Sequence, residues 1–160
     1  MVPVEQETPA IIAQLQKSGV HVMALTARSL PMMHRTVEQL QAINIDLCPT
    51  GFNIENNDLD INLTKVAKCY RGILFCNTNC KGRVVLKFFE LMGYRPKLVI
   101  FVDDKATNII AVEKVLLENG IEKVIGIRYG RLDHKVENFD TDAADDKWRL
   151  FTAGLESQVA

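Results

Sequence analysis

The sequence KLVIFVDD at residues 97–104 decides the fold. Its apolar run, from Leu98 to Val102, is followed directly by Asp103 and Asp104. A short apolar run rich in β-branched residues that stops at polar residues is typical of a strand buried in a parallel sheet. A helical pattern follows at about residues 107–118 and is closed by Gly120. This strand-then-helix unit predicts an α/β fold.

The rest of the chain continues this alternation. We predict helices over residues 8–18, 31–43, 81–92, 107–118 and 148–155, and strands over residues 20–27, 45–48, 71–76, 97–102 and 124–129. Residues 133–146 are polar and acidic, which favours a loop, and the Asn- and Asp-rich residues 50–72 indicate a small insertion that contains a hairpin. Strands that alternate with helices predict a parallel sheet covered on both faces.

Length and composition bound the class of protein. The chain has 160 residues, 48% of them apolar and 24% charged, which predicts a single globular domain over residues 1–160. The net charge of −1 argues against a general nucleic-acid binder, and no apolar run is long enough to span a membrane. Because residues 1–7 lack the pattern of a signal peptide, we expect a cytoplasmic protein with reduced cysteines.

The candidate site lies where predicted strands end and helices begin. The strand at residues 20–27 delivers Thr26, the strand at 97–102 delivers Asp103 and Asp104, and a helix opens at Lys81. Sites in parallel sheets form beyond the carboxyl ends of the strands, so we expect these side chains to converge. A hydroxyl and an ammonium group suit phosphate oxygens, while carboxylates suit Mg²⁺.

Each of these residues also has a simpler interpretation. Thr26 can be an ordinary hydroxyl at a strand end, and Lys81 a solvated helix lysine. Asp104 can be an N-cap for the helix that follows. Asp103 is harder to explain in this way, because a carboxylate at the end of an apolar strand is costly to bury without a partner.

Four short motifs occur in an order that resembles a known superfamily. VMALTAR at residues 22–28, Lys81 within NCKG and VIFVDD at residues 99–104 resemble the second, third and fourth motifs of the haloacid dehalogenase-like (HAD) superfamily. With GILF at residues 72–75, they are most similar to a bacterial HAD-like domain family of unknown function. The resemblance covers roughly residues 8–130.

The resemblance implies a Rossmannoid three-layer sandwich and Mg²⁺-dependent hydrolysis of a small phosphorylated substrate. Phosphoryl transfer in that superfamily passes through an aspartyl-phosphate. Thr26, Ala27 and Lys81 would hold the phosphate, with Thr26 and Lys81 in catalytic roles. Asp103 and Asp104 would hold the metal, and Asn108 would assist them. Arg28 is either a substrate contact or a surface residue.

The chain departs from the superfamily pattern at its first motif. An apolar strand ending in Asp-x-Asp should precede residue 22, and the preceding residues contain no aspartate. The Asp-x-Asp matches at residues 58–60 and 140–142 do not follow buried strands. We therefore expect the C-terminal portion of a HAD unit that lacks its nucleophile strand and is inactive as it stands. The alternative is a non-catalytic interaction module on a degenerate HAD scaffold.

The missing strand has a structural consequence. In the superfamily pattern it lies between the strand that carries Thr26 and the strand that carries Asp103. Without it, those two strands either pair directly or expose unpaired backbone groups that promote self-association.

Overall fold

A computed structural model describes residues 3–49, 52 and 58–156. The chain forms two compact units, Met1–Arg128 and Tyr129–Ala160. The first unit contains all the strands of the described residues and the candidate site. The second contains two helices. The expectation that residues 1–160 form a single domain stays a prediction.

The order of elements is an irregular alternation of helices and strands. The helices are α1 (Thr8–Lys17), α2 (Met33–Gln41), α3 (Lys81–Leu91), α4 (Ala106–Glu118), α5 (Asp133–Glu137) and α6 (Thr141–Glu156), and a 3-10 turn over Leu30–Met32 precedes α2. The strands are β1 (Ala24–Thr26), β2 (Asp58–Ile61), β3 (Ala67–Tyr70), β4 (Ile73–Phe75), β5 (Leu98–Asp103) and β6 (Lys123–Arg128). The chain is therefore a mixed α/β protein, which confirms the α/β class that the sequence predicts.

The first sheet contains both parallel and antiparallel strands, in the order β1-β4-β3-β2. β1 and β4 are parallel, whereas β2, β3 and β4 are successive antiparallel neighbours. The prediction of a purely parallel sheet is wrong here, because short turns rather than helices join β2, β3 and β4. The expected hairpin in the insertion is confirmed as β2 and β3, and residues 50, 51 and 53–57 of that insertion lie outside the described residues.

The second sheet consists of β5 and β6 in parallel. Val99 and Phe101 pack against the core formed with α3 and α4. The alternate residues Leu98, Ile100 and Val102 remain 48–58% exposed. Within the first unit, only one face of this sheet is therefore covered by described elements, whereas the sequence predicted cover on both faces.

Two apolar clusters hold the first unit together. One joins α3 and α4 to one face of each sheet, and Phe88, Val84, Val112 and Leu116 are completely buried in it. The other packs α1 and α2 against the opposite face of the first sheet, around Phe75. The first sheet is thus covered on both faces.

A gap separates the two sheets where β1 and β5 face each other. β1 pairs only with β4 and β5 only with β6 among the described strands, so β1 and β5 do not pair directly. A cavity of about 320 Å³ lies between them and is lined by Ala24 and Leu25 on one side and by residues 98–101 on the other. Each strand therefore presents an unpaired edge to this cavity, which we call the strand gap.

Two local predictions are wrong for identifiable reasons. Residues 45–48 alternate in burial as a strand would, but the Cys48 N–H donates to Asp46 Oδ1 at 3.0 Å and closes a local turn instead.

Residues 133–146 are helical over much of their length rather than loop. The Ala143 N–H donates to Asp140 Oδ1 at 2.9 Å, which caps α6 and starts it at Thr141.

Gly82 permits the close packing of α3 on α4. A Cβ atom at Gly82 would lie 2.6 Å from the Ala111 carbonyl oxygen. We expect Gly82→Ala to lower the free energy of unfolding by about 1–3 kcal/mol, although this change usually stabilises a helix interior. Arg83→Ala, on the exposed side of the same turn, should change it by no more than about 0.5 kcal/mol. Urea unfolding measures both, and a stabilised Gly82→Ala variant would contradict the packing.

Within the first unit, β5 has an exposed face and a free edge, which should make the 160-residue chain self-associate. Ile100 is 58% exposed on β5, and Ile110 is 62% exposed on α4, which makes them a matched pair. We expect Ile100→Lys to reduce the concentration dependence of sedimentation, because a charge on an edge strand blocks strand pairing. Ile110→Lys should reduce it less. Equal effects of the two variants, or a wild-type chain that remains monomeric, would contradict association through β5.

Candidate functional site

The candidate site is built around a buried ion pair between Lys81 and Asp103. Lys81 is the first residue of α3, and Asp103 is the last residue of β5. The Lys81 Nζ donates to Asp103 Oδ2 at 2.5 Å, and the side chains are 13% and 5% exposed. The structure thus brings together two of the residues that the sequence predicts at the site.

The second oxygen of Asp103 also has hydrogen-bond donors. Asp103 Oδ1 accepts from the backbone N–H of Lys105 and from Asn108 Nδ2, each at 2.9 Å. Asp103 therefore fixes the turn from β5 into α4 as well as the position of Lys81. The capping role that the sequence left open for Asp104 is not observed, because the N-cap residue of α4 is Lys105 and no side-chain hydrogen bond caps the helix.

The environment of Asp103 keeps its carboxyl group ionised. Burial raises the pKa, but this is outweighed by the hydrogen bonds from Lys81, Lys105 and Asn108 and by the charge of Lys81, so the pKa lies below its ordinary value of 3.8. The site therefore contains a carboxylate bound to an ammonium group at neutral pH.

Besides Asp103, Lys81 has an apolar neighbour in Phe101 and a neutral one in Cys76. Its Nζ lies 5.8 Å from the centre of the Phe101 ring, where the ring face stabilises a cation. Burial raises the pKa of the nearby Cys76 thiol to about 12, although Lys81 opposes that shift. Cys76 is thus a neutral buried thiol and a poor nucleophile at neutral pH.

Thr26 is connected to this site through the backbone of Cys76. The Cys76 N–H donates to the Thr26 carbonyl at 2.8 Å, and Thr26 Oγ1 accepts from the Arg28 N–H at 3.2 Å. Within the described residues, no hydrogen bond joins Thr26 directly to Lys81 or Asp103. The hydroxyl is therefore close to the end of β1, where the sequence placed it, without being part of the ion pair.

The remaining predicted residues lie outside this network. Ala27 is exposed beyond β1, and Asp104 is exposed and makes no hydrogen bond or ion pair with the part of the chain that the structure describes. Arg28 donates to Thr36 Oγ1 at 3.0 Å and to Gln39 Oε1 at 2.6 Å. Arg28 is thus held against α2 in this structure.

The described residues do not complete a metal site by themselves. They contain no group of three or more His, Cys, Asp or Glu side chains placed to hold an ion. Mg²⁺ requires octahedral coordination by oxygen, whereas both oxygens of Asp103 already accept hydrogen bonds. Asp103 and Asp104 fit Mg²⁺ only if further oxygen ligands are added.

Sequence reasoning missed the residues that shape the loop before Lys81. Asn79 accepts from the Lys65 N–H and donates to the Lys65 and Cys76 carbonyls, and Asn77 donates to the Val66 carbonyl. These bonds tie the turn between β2 and β3 to the loop that leads into α3. The NTN sequence at residues 77–79 favours a loop, but nothing in it indicates which backbone it binds.

The fold and the site together define a mixed α/β protein with a buried lysine–aspartate pair where a parallel strand ends and a helix begins. Comparison by sequence then places it: the chain belongs to the family described as "Protein of unknown function (DUF2608)", which matches residues 1–160. No solved structure matches the chain. No helix in the described part of the chain is long and apolar enough to cross a membrane.

Two curated relatives are similar to most of the chain. A "Putative outer membrane protein" of Chlamydia trachomatis serovar D is 26% identical over 127 residues, which is 79% of this chain and 46% of the relative. A protein of Chlamydia muridarum with the same name is 26% identical over 126 residues, with the same shares. The chain thus spans about half the length of the curated relatives it matches.

The ion pair makes the stability of the chain depend on pH. Because the pKa of Asp103 is lowered by folding, its contribution is present above pH 3.8 and is lost as the pH falls through the folded pKa. We expect Asp103→Asn to cost about 3 kcal/mol of unfolding free energy at pH 7, since it leaves Lys81 without its counter-ion. That cost should shrink below about pH 4.

The exposed neighbour provides the control for this prediction. Asp104→Asn should cost no more than about 0.5 kcal/mol at any pH. Urea unfolding at pH 7, 4 and 3 measures both variants. Equal costs for the two substitutions, or a cost for Asp103→Asn that does not change with pH, would show that the pair is not the source of the dependence.

Proposed function

We propose that this chain is the C-terminal portion of a HAD-type phosphohydrolase unit. Thr26, Ala27 and Lys81 would hold the phosphate of a small phosphorylated substrate, and Asp103 and Asp104 would contribute to a Mg²⁺ site. The observation that carries the proposal is the buried Lys81–Asp103 pair. It fixes a cation beyond the end of a parallel strand, which is where sites form in such sheets.

Lys81 has the chemistry that phosphate binding requires. An ammonium group has three N–H donors, and one of them is directed to Asp103. Two donors remain for phosphate oxygens, and the side chain is not completely buried. Because Asp103 holds the ammonium in place, little conformational entropy is lost when an anion binds.

The strand gap supports the proposal that the catalytic strand is missing. In a longer form, an added strand lying parallel to β1 and β5 would pair with both free edges. Its carboxyl end would then lie between Thr26 and Asp103, where a nucleophilic carboxylate is needed. The relatives, which are about twice as long as the matched region, are consistent with such a form. The chain as it stands is proposed to be inactive.

The proposed metal would complete its coordination in the same longer form. Bound there, Mg²⁺ would neutralise charge that develops on the transferred phosphoryl group. The contribution of this chain is the positioning of Lys81 by Asp103 and of Asp103 by Asn108.

A non-catalytic interaction module on a degenerate HAD scaffold is the second candidate. Two observations favour it: the free edges of β1 and β5, and an Asp103 whose oxygens are both engaged in hydrogen bonds. The relatives carry the name "Putative outer membrane protein", whereas the cytoplasmic location expected for this chain from its sequence stays a prediction. Cell fractionation distinguishes these locations.

The two candidate functions predict different results when hydrolysis of a generic aryl phosphate is assayed with Mg²⁺. We expect no turnover by the 160-residue chain, because no carboxylate nucleophile is available for an aspartyl-phosphate. A longer form with the preceding coding sequence should be active and should lose activity with Lys81→Met but keep it with Lys114→Met, an exposed change on α4. A longer form without activity would favour the interaction module.

The same chain should bind Mg²⁺ weakly. Calorimetry on the 160-residue chain should give little heat, because Asp103 and Asp104 supply too few oxygen ligands. Tight binding that survives Asp103→Asn would overturn the metal assignment. Turnover by the short chain that Asp58→Asn or Asp140→Asn abolishes would reveal a nucleophile elsewhere in the sequence.

A further inference from the structure

Arg28 connects the residues after β1 to helix α2. It lies two residues beyond Thr26, in the loop that follows β1. Its Nη1 donates to Thr36 Oγ1 at 3.0 Å and to Gln39 Oε1 at 2.6 Å. Thr36 and Gln39 are three residues apart on α2 and therefore lie on the same face of that helix. The guanidinium group thus holds this loop on one face of α2.

Thr36 is oriented to accept the hydrogen bond from Arg28. Its hydroxyl group donates to the Met32 carbonyl at 2.7 Å, so the proton of the hydroxyl is already committed and the oxygen is left as an acceptor. Because Thr36 is only 8% exposed, water has little access to that oxygen, and the bond from Arg28 is sheltered. The loop after β1 therefore has a fixed position on α2, although Arg28 itself is exposed.

The backbone of Arg28 orients the side chain of Thr26. The Arg28 N–H donates to Thr26 Oγ1 at 3.2 Å, so this oxygen is an acceptor and the proton of the hydroxyl remains available. Thr26 Oγ1 makes no other hydrogen bond with the residues that the structure describes. A hydroxyl held in this way has one preferred rotamer and a donor directed away from Arg28.

The backbone of Cys76 places Thr26 near the ion pair. The Cys76 N–H donates to the Thr26 carbonyl at 2.8 Å, which fixes the end of β1 beside the start of the loop that leads to Lys81. Lys81 and Asp103 both act electrostatically on the Cys76 thiol, so the three residues are neighbours. A chain of contacts therefore runs from α2 through Arg28 and Thr26 to the ion pair.

We propose that Arg28 is a positioning residue for phosphate binding: by holding the loop after β1 on α2, it keeps the Thr26 hydroxyl directed as a donor to the bound phosphate. This inference rests on the proposed function, which assigns the phosphate to Thr26, Ala27 and Lys81. Arg28 acts through Thr26 and makes no contact with the phosphate. Its role therefore differs from both roles that the sequence left open for it, a substrate contact and a surface residue.

NMR of the 160-residue chain measures the orientation of Thr26 directly, because three-bond couplings to the Thr26 methyl carbon report its χ1 angle. We expect a single rotamer in the wild type and an averaged one in Arg28→Met, which keeps the backbone N–H but lacks the guanidinium group. Thr36→Val/Gln39→Met removes both acceptors, keeps the charge of Arg28 and should have the same effect. Arg35→Met removes an exposed charge from α2 and should leave the rotamer fixed.

Titration of the same variants with inorganic phosphate measures the effect on binding. Arg28→Met and Thr36→Val/Gln39→Met should each weaken binding about 3–10-fold, which is the worth of one hydrogen bond, and Arg35→Met should not change it. Thr26→Val should weaken binding by a similar factor. Because Arg28 acts through Thr26, adding Arg28→Met to Thr26→Val should weaken binding no further. Additive effects of these two substitutions, or a Thr26 rotamer that stays fixed in Arg28→Met, would overturn the proposal.

A further variant separates this proposal from the proposed function. Lys81→Met should abolish the binding of inorganic phosphate. If Lys81→Met and Thr26→Val weaken binding but Arg28→Met does not, the phosphate site stands and the positioning role of Arg28 falls. If Lys81→Met has no effect while Arg28→Met and Thr26→Val weaken binding without additivity, the positioning role stands and the phosphate role of Lys81 falls. A wild-type chain that binds no phosphate would overturn both.

Discussion

The ion pair between Lys81 and Asp103 links the two sheets of the first unit, which are not joined to each other by pairing between described strands. Lys81 follows the loop from β4, which belongs to the first sheet, and Asp103 ends β5 in the second sheet. Burial of a charge without a partner is expensive, so each residue fixes the position of the other. Asn108 and the Lys105 amide satisfy the remaining oxygen of Asp103, which also fixes the start of α4.

The strand gap follows from the same arrangement. α3 and α4 pack on one face of both sheets, and the ion pair links the start of α3 to the end of β5. β1 and β5 are therefore held near each other without strand pairing between them. The Lys97 carbonyl accepts a hydrogen bond from the Lys123 N–H. The backbone N–H groups of alternate β5 residues therefore face β6, and those of the residues between them, including Ile100, point into the gap. Unpaired edges of this kind favour a further strand.

The sequence contained enough information to bring Lys81 and Asp103 to one edge of the fold, but not to predict that they pair with each other or how the strands are ordered. An apolar run that ends in Asp103 predicts a strand and a costly carboxylate, and Lys81 at a helix start supplies the cation. The antiparallel β2, β3 and β4 depend on which strands become neighbours, which periodicity does not determine. Likewise, Leu98, Ile100 and Val102 are apolar in sequence, and only the structure reveals that no described element of the first unit covers them. The turn at Asp46 shows how one side-chain hydrogen bond overrides an apolar alternation.

Amide hydrogen exchange tests the strand gap most directly, in the 160-residue chain at a concentration where it is monomeric. The Ala24 N–H donates to the Gly72 carbonyl, so the Leu25 amide points away from β4 and into the gap, as does that of Ile100. The amides of Ala24 and Phe101 face β4 and β6. We predict that Leu25 and Ile100 exchange about 100-fold faster than Ala24 and Phe101. Equal protection of all four amides would show that β1 and β5 pair with each other and would contradict the account.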